Sequence, residues 1–164
     1  MKRLGLTLLW AFAASVICSA QTLYYPQIAN GSYRGVTLAT WLFVTNPNAS
    51  ERATGSIQFT QDNGTPFNIT FIDVDTGQFA TTGNILTFQD LSPGQTRIYL
   101  STGMGPLVQG FGTLNSGVRV TSTALFSEYG FGLGLGNPGG PGAGLVGEAG
   151  VATVTGSLRQ GVFF

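Results

Sequence analysis

The chain has 164 residues, enough for one domain with a real core, and seven basic residues balance seven acidic ones. It carries no histidine and one cysteine, with only 9 % charged residues against 43 % hydrophobic ones. So low a basic content argues against nucleic acid or an anionic membrane as partner.

Residues 1–20 read as a secretory signal peptide: a basic Lys2-Arg3 start, a mostly apolar run from Leu4 to Ile17, and a small-residue Cys18-Ser19-Ala20 ending. The apolar run is short for a membrane span, and Ile17 before Cys18 disfavours a lipoprotein. Cleavage after Ala20 is expected to start the mature chain at Gln21, exported to the periplasm, the cell surface or the medium. That chain has no cysteine, histidine or lysine, and five arginines face seven acids, a net of −2. It would rely on its core alone in an oxidising compartment, and the eleven of twelve Phe that follow the leader make such a core plausible.

Residues 21–164 are expected to form a single domain. Gln21–Ala29 alternates as a strand, Pro26 demotes it to an edge, and Asn30-Gly31 reads as the turn out of it. Val36–Thr45 is nearly continuous apolar and β-branched, which predicts a central strand covered on both faces. Asn46-Pro47-Asn48 stops it. Ser56–Gln61 alternates with Ile57 and Phe59 on one face, and Asp62-Asn63-Gly64 is a hairpin signal before Phe67, Ile69 and Phe71. Phe43, Ile57, Phe59 and Ile69 are therefore expected in the core.

The adjacent Phe71-Ile72 marks a strand end or bulge, and Gly77–Asn84 reads as a polar connection. Ile85–Phe88 and Thr96–Ser101 are short strands about a Ser92-Pro93-Gly94 turn, with Ile98 and Leu100 pointing inward. Leu107–Leu114 alternates although glycine-studded, and Val118, Val120, Ala124 and Phe126 share one face of a further strand. Residues 130–147 hold nine glycines in eighteen positions and read as a flexible Gly-rich loop insert. Strand pattern returns in Gly150–Thr155 and Leu158–Phe164. No apolar 3.6-residue period runs for three turns after the leader, so the class is all-β and antiparallel, a sandwich or barrel.

Tyr25-Pro26-Gln27-Ile28-Ala29-Asn30-Gly31, Thr40–Pro47, Gly55–Phe59 and Asp62-Asn63-Gly64 follow one another in a set order. With Pro93-Gly94, Gly110–Phe126 and Glu148–Val151, this punctuation resembles a module found in many bacterial secreted proteins. The resemblance implies an immunoglobulin-like β-sandwich, often strung with others in large extracellular proteins, and it brings no catalytic residues. The Gly-rich insert and the end at Phe164 depart from the pattern; a stand-alone version and a truncated multi-module protein are both open.

Without His or Cys after the leader, Ser-His and Cys-His nucleophiles and His/Cys zinc sites are excluded from the mature chain. Glu128 and Glu148 flank the glycine-rich stretch and are the candidate carboxylate pair; solvated loop-end charges are the simpler reading. Asp73-x-Asp75-x-Gly77 resembles part of a calcium loop, yet position five is Gly77 and position twelve is Asn84, so two exposed aspartates leaving a strand is again simpler. The N-x-S/T triplets at Asn30, Asn48, Asn63 and Asn68 read as turn chemistry rather than glycan acceptors.

The expected function is a secreted, non-catalytic structural or binding module of a bacterial surface or extracellular matrix, with no cofactor and no enzyme activity. The alternatives are a self-assembling subunit pairing through its terminal strands, Gln21–Ile28 and Leu158–Phe164, and a carbohydrate-binding module. An aromatic row on one exposed face would favour the sugar; an unpaired edge with an apolar terminal strand would favour assembly.

Overall fold

The computed structural model describes residues 20–129 and 145–155. Ten strands and no helix occur among them: β1 (Gln21–Tyr33), β2 (Val36–Thr45), β3 (Ala53–Gln61), β4 (Ile69–Asp73), β5 (Phe79–Gly83), β6 (Ile85–Leu91), β7 (Thr96–Ser101), β8 (Val108–Ser116), β9 (Thr121–Tyr129) and β10 (Leu145–Ala152). Every strand pairing is antiparallel. One set of strands runs β1-β8-β3-β6 and the other β5-β4-β7-β2-β9-β10. Strand β1 belongs to both: Gln21–Asn30 pair with β8, and Gly31–Tyr33 pair with the start of β2. On its other edge Tyr24 exchanges two backbone hydrogen bonds with Val154, just past β10. The sheet therefore nearly closes on itself, in a barrel-like arrangement.

The closure explains the sequence punctuation. Pro26, which has no N–H for the ladder, sits in a bulge between Tyr25 and Ile28 rather than in regular pairing. The bulge resets the alternation, so Leu23, Tyr25 and Ile28 are all buried. Asn30-Gly31 is not a turn, contrary to the sequence reading. The chain reverses at Arg34-Gly35, both at positive φ. Asn30 instead grips the loop after β7: its amide nitrogen donates to Met104 O, and its Oδ1 accepts from Gly103 N. Gly31 is needed there because a Cβ would lie 2.2 Å from Pro106 O, with φ at 115°. Asn46 is a second buried anchor. It donates to Glu51 O and Leu91 O, and accepts from the backbone and side-chain amides of Asn48.

The core lies between the two strand sets. Phe59 of β3 stacks on Phe71 of β4 with ring centroids 5.2 Å apart, and Ile57, Phe67, Ile69, Leu86, Phe88 and Leu114 surround the pair. Tyr25 Oη donates to Ser122 Oγ, which donates to Phe43 O at 2.5 Å, linking β1 to β9 and β2. Burial raises the Tyr25 pKa, and the Ser122 hydrogen bond offsets that rise in part.

Other expectations need correction. Gly77–Asn84 is not simply a connection, since Phe79–Gly83 form β5. Strand β10, the last among the described residues, starts at Leu145, inside the stretch expected to be loop. Residues 130–144 and the proposed terminal strand Leu158–Phe164 lie outside the described residues, as does the leader up to Ser19.

Candidate functional site

The two strand sets present very different outer faces. On β1-β8-β3-β6 the outward positions, fixed by register, are Thr22, Tyr24, Phe111, Thr113, Asn115, Ser56, Gln58, Thr60, Ile85 and Thr87. That face is mostly hydroxyl and amide. On β5-β4-β7-β2-β9 one outward row reads Phe79, Ile72, Leu100, Trp41, Leu125. The next reads Ile98, Phe43, Thr123, and the third Thr96, Thr45, Thr121. No charged residue stands in these three rows.

This face overturns two sequence expectations. Strand β2 is central but not covered equally on both sides: Leu42 and Val44 are buried, whereas Trp41 and Phe43 are only half-buried. Phe43 therefore does not belong to the core with Ile57, Phe59 and Ile69. Ile98 does not point inward either, whereas Leu100, in the same outward register across from Trp41, is nonetheless buried at 5 % exposure. Tyr99 points inward, opposite Leu42, because the register of β7 on β2 places Ile98 across from Phe43 and Leu100 across from Trp41. The inward Tyr99 Oη has no hydrogen-bond partner among the described residues. Burial pushes its pKa up to about 12, and nearby Arg97 restrains the rise.

The local geometry on the apolar face is specific. Trp41 Nε1 donates to Ser127 Oγ at 2.9 Å. Ser127 and Ala39 face each other on this outward side, yet they are 1 % and 0 % exposed. The hydrogen bond ties the indole to that pair, and Trp41 is part-exposed. Beside it Phe43, Thr45, Thr121, Ser122 and Thr123 line an open depression of about 160 Å³. Thr45 and Thr96 share a 2.7 Å hydroxyl–hydroxyl bond. Phe79 is 71 % exposed at the far end of the row, with Val74, whose N–H donates to Ile98 O, also exposed.

The acidic candidates are placed elsewhere. Gly147 stands opposite Glu128 and Ser127 opposite Glu148, so the two glutamates occupy alternating positions of the β9–β10 ladder and not a facing pair. Asp73 is buried at the end of β4, where its Oδ1 accepts from the N–H groups of Asp75 and Thr76 and its Oδ2 lies 3.7 Å from Arg97 Nε. It closes a turn ended by Gly77 at positive φ, and Asp75 is exposed beside it. No group of three acidic, His or Cys side chains suited to a metal occurs among the described residues. Asn30 and Asn48 are held in structural hydrogen bonds: Asn30 is buried and donates to Met104 O, and Asn48 donates to Asn46 Oδ1 and Arg119 O. Asn63 and Asn68 are exposed.

Sequence reading missed the outward apolar row because both registers of Trp41–Thr45 are apolar, which leaves the solvent side of β2 unspecified. Its one available signal was the run of threonines at 45, 96, 121 and 123, an excess of hydroxyls beside aromatics. No protein-family model matches the chain, and no curated protein or solved structure matches it.

Proposed function

We propose that this chain is a secreted, non-catalytic recognition module with the layout of an immunoglobulin-like β-sandwich, and that its contact surface is the outer face carrying Trp41 and Phe43. The carrying observation is the uncharged apolar row from Phe79 to Leu125 on a sheet face, where the opposite outer face is hydroxyl and amide. The row is partly accessible, with Phe79 71 % exposed and Ile72, Trp41 and Leu125 part-exposed around a buried Leu100, and uncharged apolar surface on one face marks interaction sites. The leader-like residues 1–20 support export, and the shared punctuation with bacterial secreted modules supports the sandwich layout. The absence of His and Cys after the leader supports a role without nucleophilic chemistry.

In a chain beginning at Gln21, Trp41 is the only tryptophan, so its fluorescence reports this face alone. Acrylamide quenching combined with sedimentation velocity tests the reading. The expected result is a monomer whose Trp41 is quenched to an extent intermediate between a core and a free indole. A monomer with Trp41 fully shielded would sink the reading. A dimer whose quenching rises on dissociation would assign the face to a second copy, the assembly alternative.

A further inference from the structure

We infer that the ligand of the Trp41 face is a neutral carbohydrate chain, an inference that rests on the recognition role just proposed. The argument starts from what the face offers. Trp41 is tied at its N–H to Ser127, so the indole is held in place before any ligand arrives and loses little freedom on binding. Such a ring presents a broad electron-rich surface, suited to the slightly positive C–H face of a pyranose. Phe43, two residues on in the same strand and pointing to the same side, adds a second apolar surface.

The polar half of the site is equally particular. Thr121 and Thr123 are exposed, and their hydroxyls make no hydrogen bond among the described residues. With Thr45, whose hydroxyl is bonded to that of Thr96, they line the side of the depression next to Phe43. A hydroxyl both donates and accepts, which matches the hydroxyls of a sugar better than it matches a carboxylate or an ammonium group. Acidic glycans find no counter-ion in the three outward rows, and cationic ones find no anion. The ligand is therefore neutral.

Size and shape narrow it further. The depression, about 160 Å³, is smaller than the roughly 300 Å³ at which ordinary small-molecule pockets begin. It is also open. A site of this kind holds one ring of a longer polymer while neighbouring rings run along β2 over Trp41. Apolar contact with few oriented polar groups is the usual division of labour in ligand sites.

The chain from Gln21 is titrated with soluble neutral polysaccharides of different linkage (a mixed-linkage β-glucan, a galactomannan and a dextran), with polygalacturonate as the acidic control. Calorimetry and Trp41 emission are read together. Saturable binding to at least one neutral polymer, with a change in Trp41 emission, is expected. Trp41→Ala should weaken it by about tenfold or more, the loss typical of removing a central aromatic anchor. Phe43→Ala and Thr121→Val should weaken it less, and they serve if Trp41→Ala fails to fold. Gln58→Ala on the opposite face should leave it unchanged. Binding to no neutral polymer, binding only to polygalacturonate, or binding indifferent to all three face variants overturns the inference. A quenchable Trp41 with no sugar binding leaves the recognition role standing, whereas a shielded Trp41 in a monomer removes both.

Discussion

The two outer faces of this molecule are built on the same kind of strand and reach opposite solutions. Over β1-β8-β3-β6 the alternation is clean: Leu23, Ile57, Phe59, Leu86 and Leu114 go in, while Thr22, Gln58, Thr87 and Thr113 go out. On β2 both registers are apolar over Trp41–Val44, and with the neighbouring β7 Leu42, Val44 and Tyr99 go in while Trp41, Phe43 and Ile98 face out. A core needs only one apolar register per strand. The second register of β2 and β7 is therefore surplus to folding, and surplus apolar surface on one face is where recognition is to be sought.

The contrast holds only if both faces rest on one shared core, and the largest test addresses that. Phe59→Ala removes half of the Phe59–Phe71 stack between the strand sets and should cost about 3–5 kcal/mol in denaturant melts. A cost near zero would mean that the two sets are stabilised independently.

Alkaline titration tests the same core from its polar inclusions. Tyr99 titrates near 10 when unfolded and at about 12 when folded, so its contribution is fully present below pH 10 and lost as pH rises toward 12. The two-unit difference corresponds to roughly 2–3 kcal/mol, with Tyr25 shifted in the same direction. Ultraviolet detection of tyrosinate alongside stability should show both residues ionising only as the fold is lost.

Those two tyrosines also respond differently to losing the hydroxyl. Tyr25→Phe breaks the chain through Ser122 to Phe43 O and should destabilise by about 1 kcal/mol. Tyr99→Phe deletes an unpartnered buried hydroxyl and should be neutral or stabilising. Equal losses from the two variants would show that Tyr99 is hydrogen-bonded in solution.

The smallest effects sharpen the comparison of faces directly. Phe43→Thr should change stability by about 1 kcal/mol or less, because the side chain is only half-buried, yet it should raise solubility. Gln58→Leu should be equally mild in a melt and should lower solubility by giving the hydroxyl face an apolar centre. Solubility measured by precipitant titration would separate them. A Phe43→Thr cost as large as that of Phe59→Ala would place Phe43 back in the core.

Much of the architecture was legible from residues alone. Asp62-Asn63-Gly64 forms the expected turn, with Gly64 at positive φ and Asn63 Oδ1 accepting from Thr65 N. Ser92-Pro93-Gly94 does likewise, closed by Gln95 N donating to Ser92 O. Such turns are local, and local chemistry is written in a few adjacent letters. What escaped was set by partners far along the chain. Asn30-Gly31 has the letters of a turn, but the loop from Gly103 to Leu107 uses them as a clasp. The side of β7 that faces inward depends on its register against β2, which no pattern within Thr96–Ser101 specifies. The Trp41 face was hidden for the same reason.

The strand order has a consequence for how the chain comes to be folded at all. Strand β1 waits for β8, with Gln21 meeting Ser116, and β2 waits for β9, with Thr45 meeting Thr121. Only short reversals such as β4–β5 can pair early. Closing such long loops before any contact rewards them makes folding slow, in the millisecond-to-second range of non-local β proteins. A nascent chain released residue by residue can join β2, β7, β4 and β5 once Ser101 is made, but β1 and β3 stay unjoined to each other and the sheet cannot close until β8 and β9 have been synthesised. Until then it carries unpaired strand edges, the part of a folding chain most open to pairing with a neighbour.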